Sequence, residues 1–204
     1  MRQEIFSTPI WIKQLPNHKK FKEQFFPYIS EDKYFDTVDR WGSSSEATFD
    51  TDINDKLPWQ DLINEASEQV DIFLQCLEPM HPYRIGTDAW LNRYKKGNFQ
   101  EVHNHCGEGN FFSAVYFLET PKNTGEFLFF DDSTDFYATM NFHKIFKHMF
   151  GSSFKVDVKE GDILIFPSHI LHQVTQNPSD QIRATIAMNF TLAPLAQSQG
   201  ENNG

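Results

Sequence analysis

The chain has 204 residues, enough for one domain with a substantial core, and a formal net charge of −10. That acidic balance opposes binding to phosphate backbones, which needs a basic footprint, so nucleic acid is not an expected partner. A local basic patch around Lys144, Lys147 and His148 is the exception the sequence leaves open.

Twenty-one phenylalanines, six tyrosines and four tryptophans favour a β-rich core, because bulky rings suit pleated, half-buried surfaces. Two cysteines, Cys76 and Cys106, make no disulfide framework, and a reducing cytoplasm is the expected compartment. The opening MRQEIFSTPIWIKQL lacks the apolar core of a signal peptide. No run reaches the apolar length of a membrane span.

In chain order, Phe6 to Lys13 reads as a first strand. KKFKEQFFPYI reads as a short amphipathic helix broken at Pro27, and DRWGSSSEATFD as a loop. From Pro58 to about Leu77, the residues Leu62, Ile63, Ala66, Val70, Phe73 and Leu77 recur at helical spacing. Short β-type runs follow: AWLNRY, FFSAVYFLE, GEFLFF, FKVDV, DILIFP, HQVTQ and RATIAMNF, many of them separated by turn signals. This pattern predicts a mainly β protein with flanking helices and a jelly-roll-like core. The expected organisation is one domain over 1–204: a supporting part over 1–84, the core over 85–194, and a frayed tail over 195–204. A longer insert over 133–153 is a candidate lid.

Within EVHNHCGEGN, His103 and His105 stand two apart, so on an extended segment both rings point to one face. Two neutral imidazoles on one side can chelate a metal; the plain alternative is a pair of surface or hydrogen-bonded histidines. His169 and His172 return after the apolar run DILIFP. In RATIAMNF, Arg183, Thr185, Ala187 and Asn189 share one face, with Ala184, Ile186, Met188 and Phe190 on the other. An arginine beside a threonine can hold a carboxylate by a bidentate pair plus a hydroxyl bond. A salt-bridged arginine on a solvated face is the alternative there.

NRYKKGNFQEVHNH, followed by FFSAVYFLE, GEFLFF, GDILIFPSHILHQV and RATIAMNF, resembles the iron(II)/2-oxoglutarate-dependent oxygenases. It is most similar to the small prolyl-hydroxylase-like oxygenases of marine phages and bacteria, across roughly Trp90 to Phe190; the WGSSS segment near Trp41 also fits. The resemblance implies a double-stranded β-helix (jelly-roll, cupin-like) core. It implies His103 and His172 as iron ligands, with His105 as the third where the wider superfamily has a carboxylate. Glu108, Asp131 and Asp132 are reserve carboxylates. Arg183 and Thr185 would clamp 2-oxoglutarate, assisted by Tyr94, while Asn92 would face the same pocket. The implied cofactors are Fe(2+), 2-oxoglutarate and O2, with ascorbate in support. The implied reaction hydroxylates a peptidyl or prolyl side chain, or a small molecule, releasing succinate and CO2.

Two other classes compete: a three-histidine cupin-type dioxygenase without 2-oxoglutarate, and a non-catalytic jelly-roll binding module. A soft thiolate at Cys106 would suit zinc instead. His169 reads as a loop or substrate-side histidine, and His143 and His148 as exposed. The sequence carries no signal of oligomeric state.

Overall fold

The computed structural model describes residues 7–37, 44–131 and 153–195. Trp11–Gln14 (β1) precedes helix α1, His18–Ile29, whose Phe21, Phe25 and Ile29 recur four apart and bury one stripe. The helix runs through Pro27 instead of breaking there. Proline removes one amide donor from the helical ladder. Pro27 stands exposed in the last turn, where water can satisfy the unpaired carbonyl one turn back.

Two-residue strands Asp36–Thr37 (β2) and Glu46–Ala47 (β3) follow, so the segment expected as loop contributes a short strand to a sheet. Helix α2 spans Trp59–Cys76 and buries Leu62, Ala66, Val70 and Phe73, as their spacing predicts; Leu74 is buried too, while Leu77 is exposed just past the helix end. The remaining strands are Tyr83–Tyr94 (β4), Gln100–His103 (β5), Asn110–Glu119 (β6), Phe127–Phe130 (β7), Ser153–Lys155 (β8), Asp162–Pro167 (β9), Leu171–Val174 (β10) and Arg183–Pro194 (β11). Each corresponds to a predicted β-run except β5, which carries the first of the paired histidines. FKVDV yields only the short β8, and the first strand begins at Trp11. All but Ser153 of the predicted 133–153 insert lies outside the described residues, as do Phe6, Trp41 and all of the predicted tail but Leu195.

The strands form two antiparallel sheets. The larger has the order β1-β9-β6-β11-β4-β3-β2, the smaller β5-β10-β7-β8. One core lies between the helices and the large sheet and includes Phe21, Phe25, Val70, Leu91, Tyr116, Ile163, Ile186 and Met188. A second lies between the sheets and includes Val115, Phe117, Phe127, Phe129, Leu164, Phe166 and Val174. The two-residue alternation of β6, β9 and β11 serves both: odd residues of β11 face the smaller sheet, even residues the helices. This layered jelly roll is the expected fold class.

Arg93, 1% exposed, ties the helical layer to the sheet. Its guanidinium donates to Glu46 Oε2 (2.6 Å), Asp32 Oδ1 (2.8 Å) and the Ile29 carbonyl (2.9 Å), and lies 4.0 Å above the Phe35 ring. A buried charge needs such complete pairing, since an unpaired one costs several kcal/mol (roughly 3–5).

Leu91 is fully buried on β4 under the helices. Leu91→Ala is expected to lower unfolding free energy by about 2–5 kcal/mol through lost burial and a residual cavity, read as a lower urea midpoint with unchanged slope.

Candidate active site

Strand β5 ends at His103, which pairs across from His172 on β10. His105 lies two residues past the strand end, yet its ring still converges on the other two. The ligand nitrogens of His103, His105 and His172 all lie within 4.8 Å of one another, the one such cluster of histidine, cysteine and acidic side chains among the described residues.

The hydrogen bonds fix each ring's tautomer. Nδ1 of His103 meets the Glu101 carbonyl at 2.7 Å, Nδ1 of His172 the Ile170 carbonyl at 2.9 Å, and Nδ1 of His105 the Asn189 Oδ1 at 2.7 Å. Each of those partners is an acceptor, so each Nδ1 carries the proton and each Nε2 is left as a lone pair. Nε2 of His103 and Nε2 of His105 then face each other at 3.1 Å with no proton between them. Lone pairs turned on one another repel, and a cation between them turns repulsion into ligation. The residues therefore fit a metal ion.

The surroundings keep the rings neutral. Phe127 stacks on His172 at 5.4 Å, and Phe166 meets its face edge-on at 4.9 Å. Trp90 stacks on His105 at 5.7 Å. Burial pushes the His105 pKa down to about 4, against the raising effect of Asn189, and lowers those of His103 and, further, His172. The neutral imidazole is the metal-binding form.

A cavity of about 920 Å³ between the sheets holds the cluster. Its floor comes from the β4–β11 register, where Thr185 pairs with Asn92 and Ala187 with Trp90. Asn92, Tyr94 and Thr185 all line it. Arg183, opposite Tyr94 in the register, sits behind this floor, 3% exposed, between the rings of Tyr94 (5.9 Å) and Phe117 (5.6 Å). Its Nη1 donates to the Gly125 carbonyl at 2.6 Å, while its buried Nε has no partner. Among the described residues no carboxylate pairs with it. Burial lowers its pKa from the ordinary arginine value, and burial pushes the Tyr94 hydroxyl up to about 12 despite the nearby Arg183 charge and Thr185 hydroxyl. Arg183 does not itself line the cavity; a desolvated guanidinium with an unused donor, close behind the floor of a cavity that holds three lone pairs, fits a small carboxylate.

A family model matches residues 88–189 and bears the description "Putative 2OG-Fe(II) oxygenase". The chain belongs to this family of 2OG-Fe(II) oxygenases. It is an enzyme whose cofactors are iron(II) and 2-oxoglutarate. Solved structures agree on the fold of this oxygenase. A Pseudomonas putida prolyl-4-hydroxylase superposes with a TM-score of 0.63 at 14% identity, covering 91% of this chain and 93% of its own. A Trichoplax adhaerens prolyl hydroxylase in complex with a hypoxia-inducible-factor peptide fragment gives 0.61 at 15% identity, covering 89% and 83%. HygX from Streptomyces hygroscopicus, with nickel and 2-oxoglutarate bound, gives 0.56 at 14%, covering 90% and 83%. No curated protein sequence matches the chain.

The remaining candidates of the oxygenase lie apart. His169 is exposed in the turn before β10, Glu108 and Asp131 are exposed outside the histidine cluster, and Cys106 is exposed at the cavity wall. Asp132, His143, Lys144, Lys147 and His148 are outside the described residues. Sequence reasoning gave no role to Trp90, Gln100 or Asn189, all of which line the cavity. For Asn189 the signal was present, since the alternation of RATIAMNF places it on the Arg183 face.

The three depressed histidine pKa values set a direction for metal-free protein. As pH falls below 6.5, the unfolded chain takes up protons that the folded site refuses, so stability drops towards the His105 value of about 4. Melting temperature measured in chelator is expected to fall between pH 7 and pH 5, with a shallower fall in His105→Gln.

Proposed function

We propose that His103, His105 and His172 hold the iron, and that Arg183 binds the distal carboxylate of 2-oxoglutarate with Thr185 and Tyr94. The enzyme would hydroxylate a peptidyl side chain, prolyl among them, or a small molecule, with release of succinate and CO2. The observation that carries this reading is a cavity holding unprotonated imidazole nitrogens, with a buried, carboxylate-free guanidinium behind its Tyr94–Thr185 floor. A cupin-type dioxygenase without a cosubstrate acid has no use for the second element, and a passive binding module has no use for the first.

Iron and 2-oxoglutarate supply, with O2, the oxidising power for C–H hydroxylation. The chain's own work is orientation and exclusion of water. Phe127, Phe129 and Phe166 pack around His172, giving a dry wall on the ligand side. Asn92 faces the cavity beside Thr185 and offers an amide to the bound acid or the substrate. The fold likeness to prolyl hydroxylases supports a peptidyl substrate only as analogy. The single-domain reading over 1–204 is supported by solved neighbours that span nine-tenths of the chain. Among the described residues no helix is long and apolar enough to cross a membrane; the cytoplasmic setting rests on the sequence, whose two cysteines make no disulfide framework.

Purified protein with iron(II), ascorbate and 2-oxoglutarate is expected to release succinate slowly without added substrate. Replacing His103, His105 or His172 by alanine should weaken iron binding, whereas Arg183→Ala should keep iron and weaken 2-oxoglutarate about ten- to a hundredfold, as loss of a charge-assisted hydrogen bond predicts. Iron content unchanged in all three histidine variants, or cosubstrate affinity unchanged in Arg183→Ala, would reject the respective assignment.

A further inference from the structure

Two of the three histidines are oriented locally. His103 and His172 each donate Nδ1–H to the backbone carbonyl two residues earlier in the chain, an arrangement that asks nothing of other side chains. His105 lies past the end of β5 and lacks that device. Its Nδ1 reaches a side chain 84 positions away, Asn189 on β11.

That difference has a chemical consequence. A carboxylate at this place would present acceptor oxygens whichever way it turned. An imidazole has one lone pair and two tautomers, so it ligates best when something holds the proton on the far nitrogen. We propose that Asn189 is the positioning residue that makes His105 a metal ligand, through an amide oxygen that is itself held in place. This rests on the three-histidine reading above.

The amide is locked by neighbours. The Ser113 hydroxyl donates to Asn189 Oδ1 at 3.2 Å, and Ser113 and Ser168 hydroxyls meet at 2.9 Å; both serines are buried. Ser113 stands directly opposite Asn189 in the β6–β11 register. With His105 Nδ1 and the Ser113 hydroxyl both donating, Oδ1 is the end of the amide turned to the ring. The same region ties down the His105 backbone: its N–H donates to the Ser168 carbonyl at 2.9 Å, and Asn110 Nδ2 donates to its carbonyl at 2.7 Å. Trp90 covers the ring. Ring plane, tautomer and backbone are thus all set by residues from β4, β6, β11 and the loop after β9, and a neutral acceptor strengthens the ligand without adding charge to the site.

The test is Co(II) binding without cosubstrate, followed by titration calorimetry and by the visible ligand-field spectrum. Asn189→Leu keeps size and removes the acceptor; it is expected to bind Co(II) about ten- to a hundredfold more weakly, with an altered spectrum. Asn189→Asp restores an acceptor and should bind at least as tightly as the parent. Parent affinity and spectrum in Asn189→Leu, alongside weakened binding in His105→Ala, would overturn the proposal and leave the ligand set standing. Parent binding in His105→Ala would instead remove His105 from the ligand set, and this proposal with it. Should Asn189→Leu fail to fold, Ser113→Ala and Asn189→Asp decide: a weaker site in the first with a site at least as tight as the parent in the second supports the proposal, and any other pattern overturns it.

Discussion

Strand β11 lies between β4 and β6, hydrogen-bonded to both, with a twelve-residue register to β4 from Arg183↔Tyr94 to Pro194↔Tyr83. Everything at the site depends on that register. Its even residues Ala184, Ile186, Met188 and Phe190 are fully buried towards the helices, so a slip by one residue would put an arginine and an asparagine into that apolar layer. The hydrophobic face therefore fixes the polar one. Arg183, Thr185 and Asn189 keep their positions because their neighbours cannot move.

From this frame the chemistry follows in order of depth. Arg183 sits behind the floor with its charge desolvated, Thr185, Tyr94 and Asn92 form the floor, and the histidines hang above it from β5, β10 and the loop after β5. The smaller sheet is a carrier for two histidines and a set of phenylalanine rings. Low dielectric strengthens each polar contact made there and raises the cost of each one left unmade. An empty guanidinium donor and facing lone pairs are costs of this kind, which the proposed positions of iron and 2-oxoglutarate would relieve.

Much of this was legible before any coordinates. The apolar run DILIFP and the alternation of RATIAMNF marked strands, and the helical spacing from Leu62 to Leu77 marked α2. The i, i+2 histidines gave convergence, although His105 proved to lie beyond the strand. Other features leave no sequence signal. Strands β2 and β3, two residues each, are too short for periodicity to register. Pro27 misled because its breaking effect depends on exposure and on distance from the helix end. Asn189 was placed on the right face, but its purpose depends on a histidine 84 residues earlier, and no local pattern connects them.

Gly125 makes the Arg183 pocket vulnerable at a distance from any ligand. It has a φ of +97°, a Cβ there would lie 2.5 Å from the Thr175 carbonyl oxygen, and its own carbonyl is the oxygen that Arg183 grips. Any larger residue would force apart the two chain segments and shift that anchor. Under the role proposed for Arg183, affinity for the cosubstrate acid is partly encoded in a backbone bend that never touches it, and variation at this bend would surface as a kinetic defect with an intact set of contact residues.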